Sequence, residues 1–336
     1  MNETLLEVRG LSVQFDTATG PIRAVDDVHL NIARGQTVGL VGESGCGKST
    51  LAYALLRLVP PPGRIVEGEI LWKGKDLLRL PEKEIRRVRG KEIALIFQEP
   101  SAALNPVLTV GDQVAEPLRV HQGMSRRDAL AQAVELLRAV RIPDAETRVD
   151  DYPHQMSGGM KQRVLIAMAI ACSPDLLVAD EPTTALDVTT QAQILELLDQ
   201  LKEQFRLSIL LVSHDLGVVA QNANRVAVMY AGRIVEEAPV DSLFKDPKHP
   251  YTSGLLRSLP RRGGTLRGTR GPRERLEAIQ GTVPDLAELP LGCAFAPRCP
   301  LEFDLCGSAV PLLTEIASGH LAACYKHEAV INARSS

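Results

Sequence analysis

The chain has 336 residues, 45% of them apolar and 24% charged, with a formal net charge of −3. That length holds one large or two smaller domains with a proper core. The composition is that of ordinary soluble protein, and the slight acidity gives no sign of the basic surface a nucleic-acid binder carries. The longest apolar run, Val164 to Cys172, is nine residues, far short of the roughly 20 needed to span a bilayer. The opening Met1-Asn-Glu-Thr-Leu-Leu-Glu7 lacks the basic region and apolar stretch of a signal peptide. The expectation is a cytosolic chain that meets a membrane only through partners.

Along the chain, β-type runs (Leu5–Phe15, Ala24–Ile32, Gly68–Trp72) and turns fill residues 5–96 around one helix. The apolar run Thr37–Val41 predicts a buried strand, and Ser49–Leu58 predicts that helix. Between them lies Gly42-Glu43-Ser44-Gly45-Cys46-Gly47-Lys48-Ser49-Thr50, a complete G-x-x-x-x-G-K-[ST]. Glycines there let consecutive backbone N–H groups point at phosphate oxygens. The helix N-terminus favours the anion, Lys48 reaches the β/γ-phosphates, and Ser49 offers a hydroxyl to Mg²⁺. By itself this motif also suits kinases and GTPases.

Residues 100–155 change character. Asn105-Pro106 and Glu116-Pro117 punctuate short helices, and Ser125 caps an amphipathic helix over Arg126–Val140. Residues 157–240 return to α/β alternation. Leu176-Leu-Val-Ala-Asp180-Glu181 is a strand ending in two carboxylates. Asp180 is placed to hold the water shell of Mg²⁺, and Glu181 to orient and polarise an attacking water. His214 follows the apolar strand Ile209–Ser213, where it can touch the γ-phosphate and Glu181. Gln98 follows Ile93–Phe97, and its neutral amide can reach both Mg²⁺ and the water.

The second diagnostic segment is Met156-Ser157-Gly158-Gly159-Met160, ahead of Asp180-Glu181 and the loop Pro182-Thr-Thr-Ala-Leu186-Asp187. In order and spacing, the phosphate loop at 42–49, Gln98, residues 156–160, 176–181, Asp187 and His214 resemble the ATP-binding-cassette (ABC) ATPases. The resemblance implies an α/β fold: a P-loop RecA-like core, an antiparallel β subdomain and an inserted α-helical subdomain that meets membrane subunits. It implies that Phe15 stacks on adenine with Val25 beside it, and that Ser157, Gly158, Gly159 and Asp187 belong to the nucleotide site. Phe15 stands where Tyr is commoner, and Met156 and Met160 replace the Leu and Gln of the usual signature. The phosphate-facing Ser157 and Gly158 are intact.

Beyond about residue 240 the chain leaves the ATPase core. Lys248-His-Pro-Tyr251-Thr-Ser-Gly-Leu-Leu256 resembles a segment of the oligopeptide/dipeptide branch of ABC importers, and Pro260–Pro272, basic and Gly-rich, reads as a mobile linker. Cys293, Cys299, Cys306 and Cys324 follow, four of the six cysteines within 32 residues. Clustered thiols in a reducing compartment suggest metal ligation, although C-x₅-C-x₆-C-x₁₇-C fits no standard template. A [4Fe–4S] cluster, a structural Zn²⁺, and free thiols or a stress-formed disulfide all remain open. Resemblance to dipeptide-permease ATPase subunits favours the cluster. Cys46 and Cys172 look inert.

The expected division is a nucleotide-binding domain over 1–240, with the helical subdomain at about 100–155, and a Cys-rich extension over 241–336. The resemblance implies an ATPase subunit of a di/oligopeptide importer, peripheral to the cytoplasmic face of the cell membrane. Its expected partners are a second ATPase subunit, two transmembrane permeases and an extracytoplasmic solute-binding protein, with no nucleic acid. The second cassette is expected from another chain because each motif occurs once, and a heterodimer is the favoured pairing. The alternatives are a soluble, non-transport ABC ATPase, an importer ATPase for nickel or another solute, and a redox sensor whose cluster gates the ATPase.

Overall fold

A computed structural model describes residues 3–18, 20–184, 186–259 and 279–330. The expected linker at Pro260–Pro272 therefore lies outside the described residues. In chain order the strands are β1 (Thr4–Thr17), β2 (Gly20–Ala33), β3 (Thr37–Val41), β4 (Gly63–Trp72), β5 (Lys75–Asp76) and β6 (Ile93–Ile96). They continue as β7 (Leu176–Asp180), β8 (Ser208–Ser213), β9 (Arg225–Tyr230), β10 (Arg233–Pro239), β11 (Thr314–Ala317) and β12 (His320–Ala322). β1, β2, β4 and β5 form an antiparallel sheet in the order β2-β1-β4-β5. The other eight form one sheet in the order β11-β12-β10-β9-β3-β8-β7-β6, parallel from β9 to β6.

The parallel strands are mostly apolar because both their faces are covered. Every residue of β3, β7 and β8 is buried. Side chains alternate across a strand, so one strand feeds two cores. Leu177 and Ala179 face the core shared with the helices, while Leu176 and Val178 face the core shared with the antiparallel sheet.

The helices along the chain are α1 (Lys48–Ala54), α2 (Glu82–Val88), α3 (Pro100–Ala103), α4 (Val110–Gln122), α5 (Arg126–Ala139), α6 (Ala145–Arg148) and α7 (Gly158–Ile170). After these come α8 (Val188–Phe205), α9 (Leu216–Asn222), α10 (Val240–Lys245), α11 (Pro250–Arg257) and α12 (Asp304–Ser308). Ser125 caps α5 by accepting from Asp128 N–H, as expected, and Thr109 caps α4 in the same way. Two expectations are corrected. Pro117 does not end a helix but lies inside α4, where burial of Val110, Val114, Ala115 and Leu118 outweighs the one backbone bond a proline removes. The phosphate-loop helix stops at Ala54 and does not run to Leu58. Arg57 takes a left-handed φ of 53° while Leu58 N–H returns to Tyr53 C=O, the Schellman closure that glycine usually provides.

The C-terminal segment is sewn into the main sheet. β12 pairs with β10 and β11 with β12, both antiparallel. The fully buried Glu236 of β10 accepts from Lys248 N–H at 2.7 Å and His249 N–H at 2.9 Å, and lies 2.8 Å from His320 Nε2. Buried charge persists only where such partners satisfy it.

Candidate active site

Parallel register places the chemistry on one edge. Val41 pairs with Ser213, Asp180 with Val212 and Ile96 with Ala179. The residues just beyond these strand ends, namely the phosphate loop, Glu181, His214 and Gln98, therefore emerge together at the carboxyl ends of the strands, where open α/β sheets bind ligands.

In the phosphate loop, Gly47 needs its hydrogen. Its φ is +105°, and a Cβ there would meet Ala24 C=O at 2.2 Å. Lys48 is 4% exposed and folds back over the loop, its ammonium donating to Gly42 C=O at 2.9 Å and Glu43 C=O at 3.0 Å. Ser44 and Gly45 form the exposed tip. The Cys46 side chain is fully buried in the core, so its backbone is the part of it that the loop can present to phosphate. Thr50 is half-buried in α1.

Ser49 Oγ donates to Asp180 Oδ1 at 3.0 Å, while Asp180 Oδ2 is buried without a hydrogen-bond partner. Burial, and then the neighbouring Glu181, push this carboxyl up against the opposing bond from Ser49. A buried, orphaned carboxylate oxygen beside a serine hydroxyl fits Mg²⁺, a hard cation that takes oxygen ligands and keeps several waters. Ser49 and Asp180 would hold Mg²⁺ there, and the ion would supply positive charge to a bound triphosphate.

Glu181 holds a left-handed φ of 46°, fixed by its N–H on Val212 C=O at 3.0 Å. Such strain in a non-glycine residue persists where the surroundings over-determine it, often at active sites. Three side chains gather on one of its oxygens, Oε2: Thr184 Oγ1 at 2.8 Å, Gln98 Nε2 at 3.1 Å and His214 Nδ1 at 3.2 Å. Oε1 has none of these partners. Sequence reasoning missed Thr184, although it follows Glu181 by three residues. It also missed Tyr251, whose hydroxyl accepts Glu43 N–H at 2.9 Å and which stood in view in the Lys248–Leu256 segment.

The structure does not gather every expected residue. Phe15 is half-buried and keeps an accessible ring, but Val25 is fully buried in the core behind it. Val25 is thus corrected to a packing residue, since its methyls fill the inner face of the antiparallel sheet. Asp187 spends its carboxylate capping α8, accepting from Thr190 N–H at 2.9 Å and Thr190 Oγ1 at 2.8 Å, and these bonds hold its carboxyl below the usual range. Ser157 caps α7 by accepting from Met160 N–H, and both Ser157 and Gly158 are exposed. A Cβ on Gly159 would strike Thr190 at 2.7 Å, so this glycine lets α7 approach α8.

The four clustered cysteines do converge. Cys293, Cys299, Cys306 and Cys324 line one cavity together with His249 and Phe295. All four are free thiols in this structure. Burial pushes Cys293 and Cys299 up and Cys324 to about 11. Among the described residues no three His, Cys, Asp or Glu side chains form a group that could hold a metal ion.

Residues 25–184 match the family profile described as "ABC transporter", and residues 235–306 match "Oligopeptide/dipeptide transporter, C-terminal region". The probable peptide ABC transporter ATP-binding protein y4tR of Sinorhizobium fredii is 50% identical over 331 residues, 98% of this chain and 97% of that one. The chain belongs to the ABC transporter ATP-binding family. The oligopeptide transport ATP-binding protein AppD of Bacillus subtilis is 49% identical, covering 97% of each chain. Among solved structures, the cassette MJ0796, as a dimer in a post-hydrolysis state with ADP and Pi, matches with a TM-score of 0.64 at 29% identity, covering 70% of this chain and 99% of that one. This chain is therefore an ATP-hydrolysing ABC ATPase. Gln98, Thr184 and His214 meet on Oε2 of Glu181 beside the phosphate loop that carries Lys48. Among the described residues no helix is long and apolar enough to cross a membrane.

Proposed function

We propose that this chain energises the import of di- or oligopeptides, acting as a peripheral subunit at the cytoplasmic face of the inner membrane. Its partners are two permease subunits and an extracytoplasmic solute-binding protein. The observation that carries this reading is the match of residues 235–306, beyond the cassette, to the oligopeptide/dipeptide transporter region. It favours dividing the chain into a cassette over 1–240 and an extension over 241–336. Peptide-stimulated ATPase in the assembled transporter is the test. Stimulation by a nickel chelate and not by peptides would move the reading to another solute, and full activity without membrane partners would make it a soluble ABC ATPase.

The second cassette in this reading is a different ATPase subunit. Ser157 and Gly158 are exposed and available to a nucleotide held by the partner, and Asp187, also exposed, caps α8. The isolated chain is expected to hydrolyse ATP weakly, because closure of two cassettes completes the site. Ser157→Ala should impair the site built on the partner's phosphate loop. Fast hydrolysis by a dilute, demonstrably monomeric chain would overturn the pairing.

We also infer that the four-cysteine cavity takes a [4Fe–4S] cluster. A cubane spreads four thiolates over its corners, which suits four thiols that line one cavity. Ligand binding of this kind couples to local folding. Anaerobically purified protein is expected to be brown, with about four irons per chain. Replacing any one of the cysteines should loosen the C-terminal segment and leave the cassette folded. Colourless, iron-free anaerobic protein would remove the cluster from the assignment.

A further inference from the structure

The phosphate loop carries one acidic side chain that its own chemistry does not explain. Glu43 sits where a polyanionic triphosphate must be held, and an unpaired carboxylate there opposes nucleotide binding. Its carboxylate receives both terminal nitrogens of Arg298, Nη1 to Oε2 at 2.8 Å and Nη2 to Oε1 at 3.1 Å, across 255 residues of sequence. The Arg298 side chain is 5% exposed. Its Nε donates to Gln280 C=O at 3.0 Å, its Nη1 lies 3.4 Å from Tyr230 Oη, and its guanidinium stands over the Tyr230 and Phe295 rings at 5.8 and 5.9 Å. A fork held on several sides in this way is pre-organised for a carboxylate.

Glu43 is thus gripped at three points. Its N–H donates to Tyr251 Oη, its carboxylate accepts from Arg298, and its C=O accepts from Lys48. Two of these three partners belong to the C-terminal segment. Arg298 itself ends the 3₁₀ turn Ala296–Arg298, between the cavity-lining Cys293 and Cys299.

We propose that Arg298 is a positioning residue for ATP: it neutralises Glu43 and aims it away from the phosphates, so that the cysteine-bearing segment sets the affinity of the phosphate loop. This rests on the ATP-binding role of the loop and does not depend on which solute is carried or on what the cysteines bind.

The test is equilibrium binding of ATP to the full chain, read by displacement of a fluorescent ATP analogue. Arg298→Gln leaves Glu43 unpaired and is expected to weaken binding about tenfold. The double variant Glu43→Gln/Arg298→Gln removes the repelling charge as well and should return to within about threefold of the unmodified chain. A merely structural arginine would give no such rescue. Should Arg298→Gln fail to fold, Arg298→Lys keeps the charge but loses the fork, and it should weaken binding about threefold. Binding by Arg298→Gln, or by Arg298→Lys in its place, indistinguishable from the unmodified chain would overturn the proposal, as would a double variant no better than Arg298→Gln. Loss of binding by Lys48→Ala in the same assay, with Arg298 variants unaffected, would preserve the ATP site and sink this inference alone.

Discussion

Glu181→Gln is expected to lower ATP turnover by about 10²–10⁴-fold, the usual contribution of a positioned general base, while ATP still binds. Glutamine keeps the shape of glutamate and can still accept from Thr184 and Gln98, which meet Oε2 at 2.8 and 3.1 Å. What it loses is the basicity of Oε1, the oxygen that has no such partners. Turnover and nucleotide binding measured together in the assembled transporter check this. Hydrolysis within a few fold of the unmodified protein would move the base elsewhere, with His214, whose side chain is 60% exposed, the next group to examine.

Lys48→Ala acts at the earlier step. The ammonium donates to the Gly42 and Glu43 carbonyls, and ATP is expected to replace those neutral acceptors with phosphate oxygens. Charge-assisted bonds are worth about 1.5–3 kcal/mol each, so two of them place the loss in affinity at about 10²-fold or more. The effect should appear as weaker equilibrium binding, in contrast to Glu181→Gln, where binding survives. Unchanged affinity in Lys48→Ala would show that loop N–H groups alone hold the triphosphate.

Much of this site is legible in the residues alone because its parts are local. Gly42–Thr50 is one turn between a strand and a helix; β3 forms where its apolar run predicts, and α1 begins where expected although it stops at Ala54. Asp180 and Glu181 end an apolar strand, and the positions of Gln98 and His214 after their strands follow from the same pattern. Less local features were misread. Pro117 looked like a helix end, yet the apolar face of α4 carries the helix through it. Val25 looked like a nucleotide contact, yet the register with Val13 turns it into the core.

The sequence by itself determined the chemistry: which residues can hold phosphate, a divalent cation and a polarised water, since these depend on residue type and short spacing. The tertiary structure decided the company those residues keep. That Thr184, Gln98 and His214 meet on a single oxygen of Glu181, and that Arg298 grips Glu43 from 255 residues away, follows from strand register and from β12 joining the main sheet. Contacts of this kind arise when burial brings distant segments together, and no local periodicity records them.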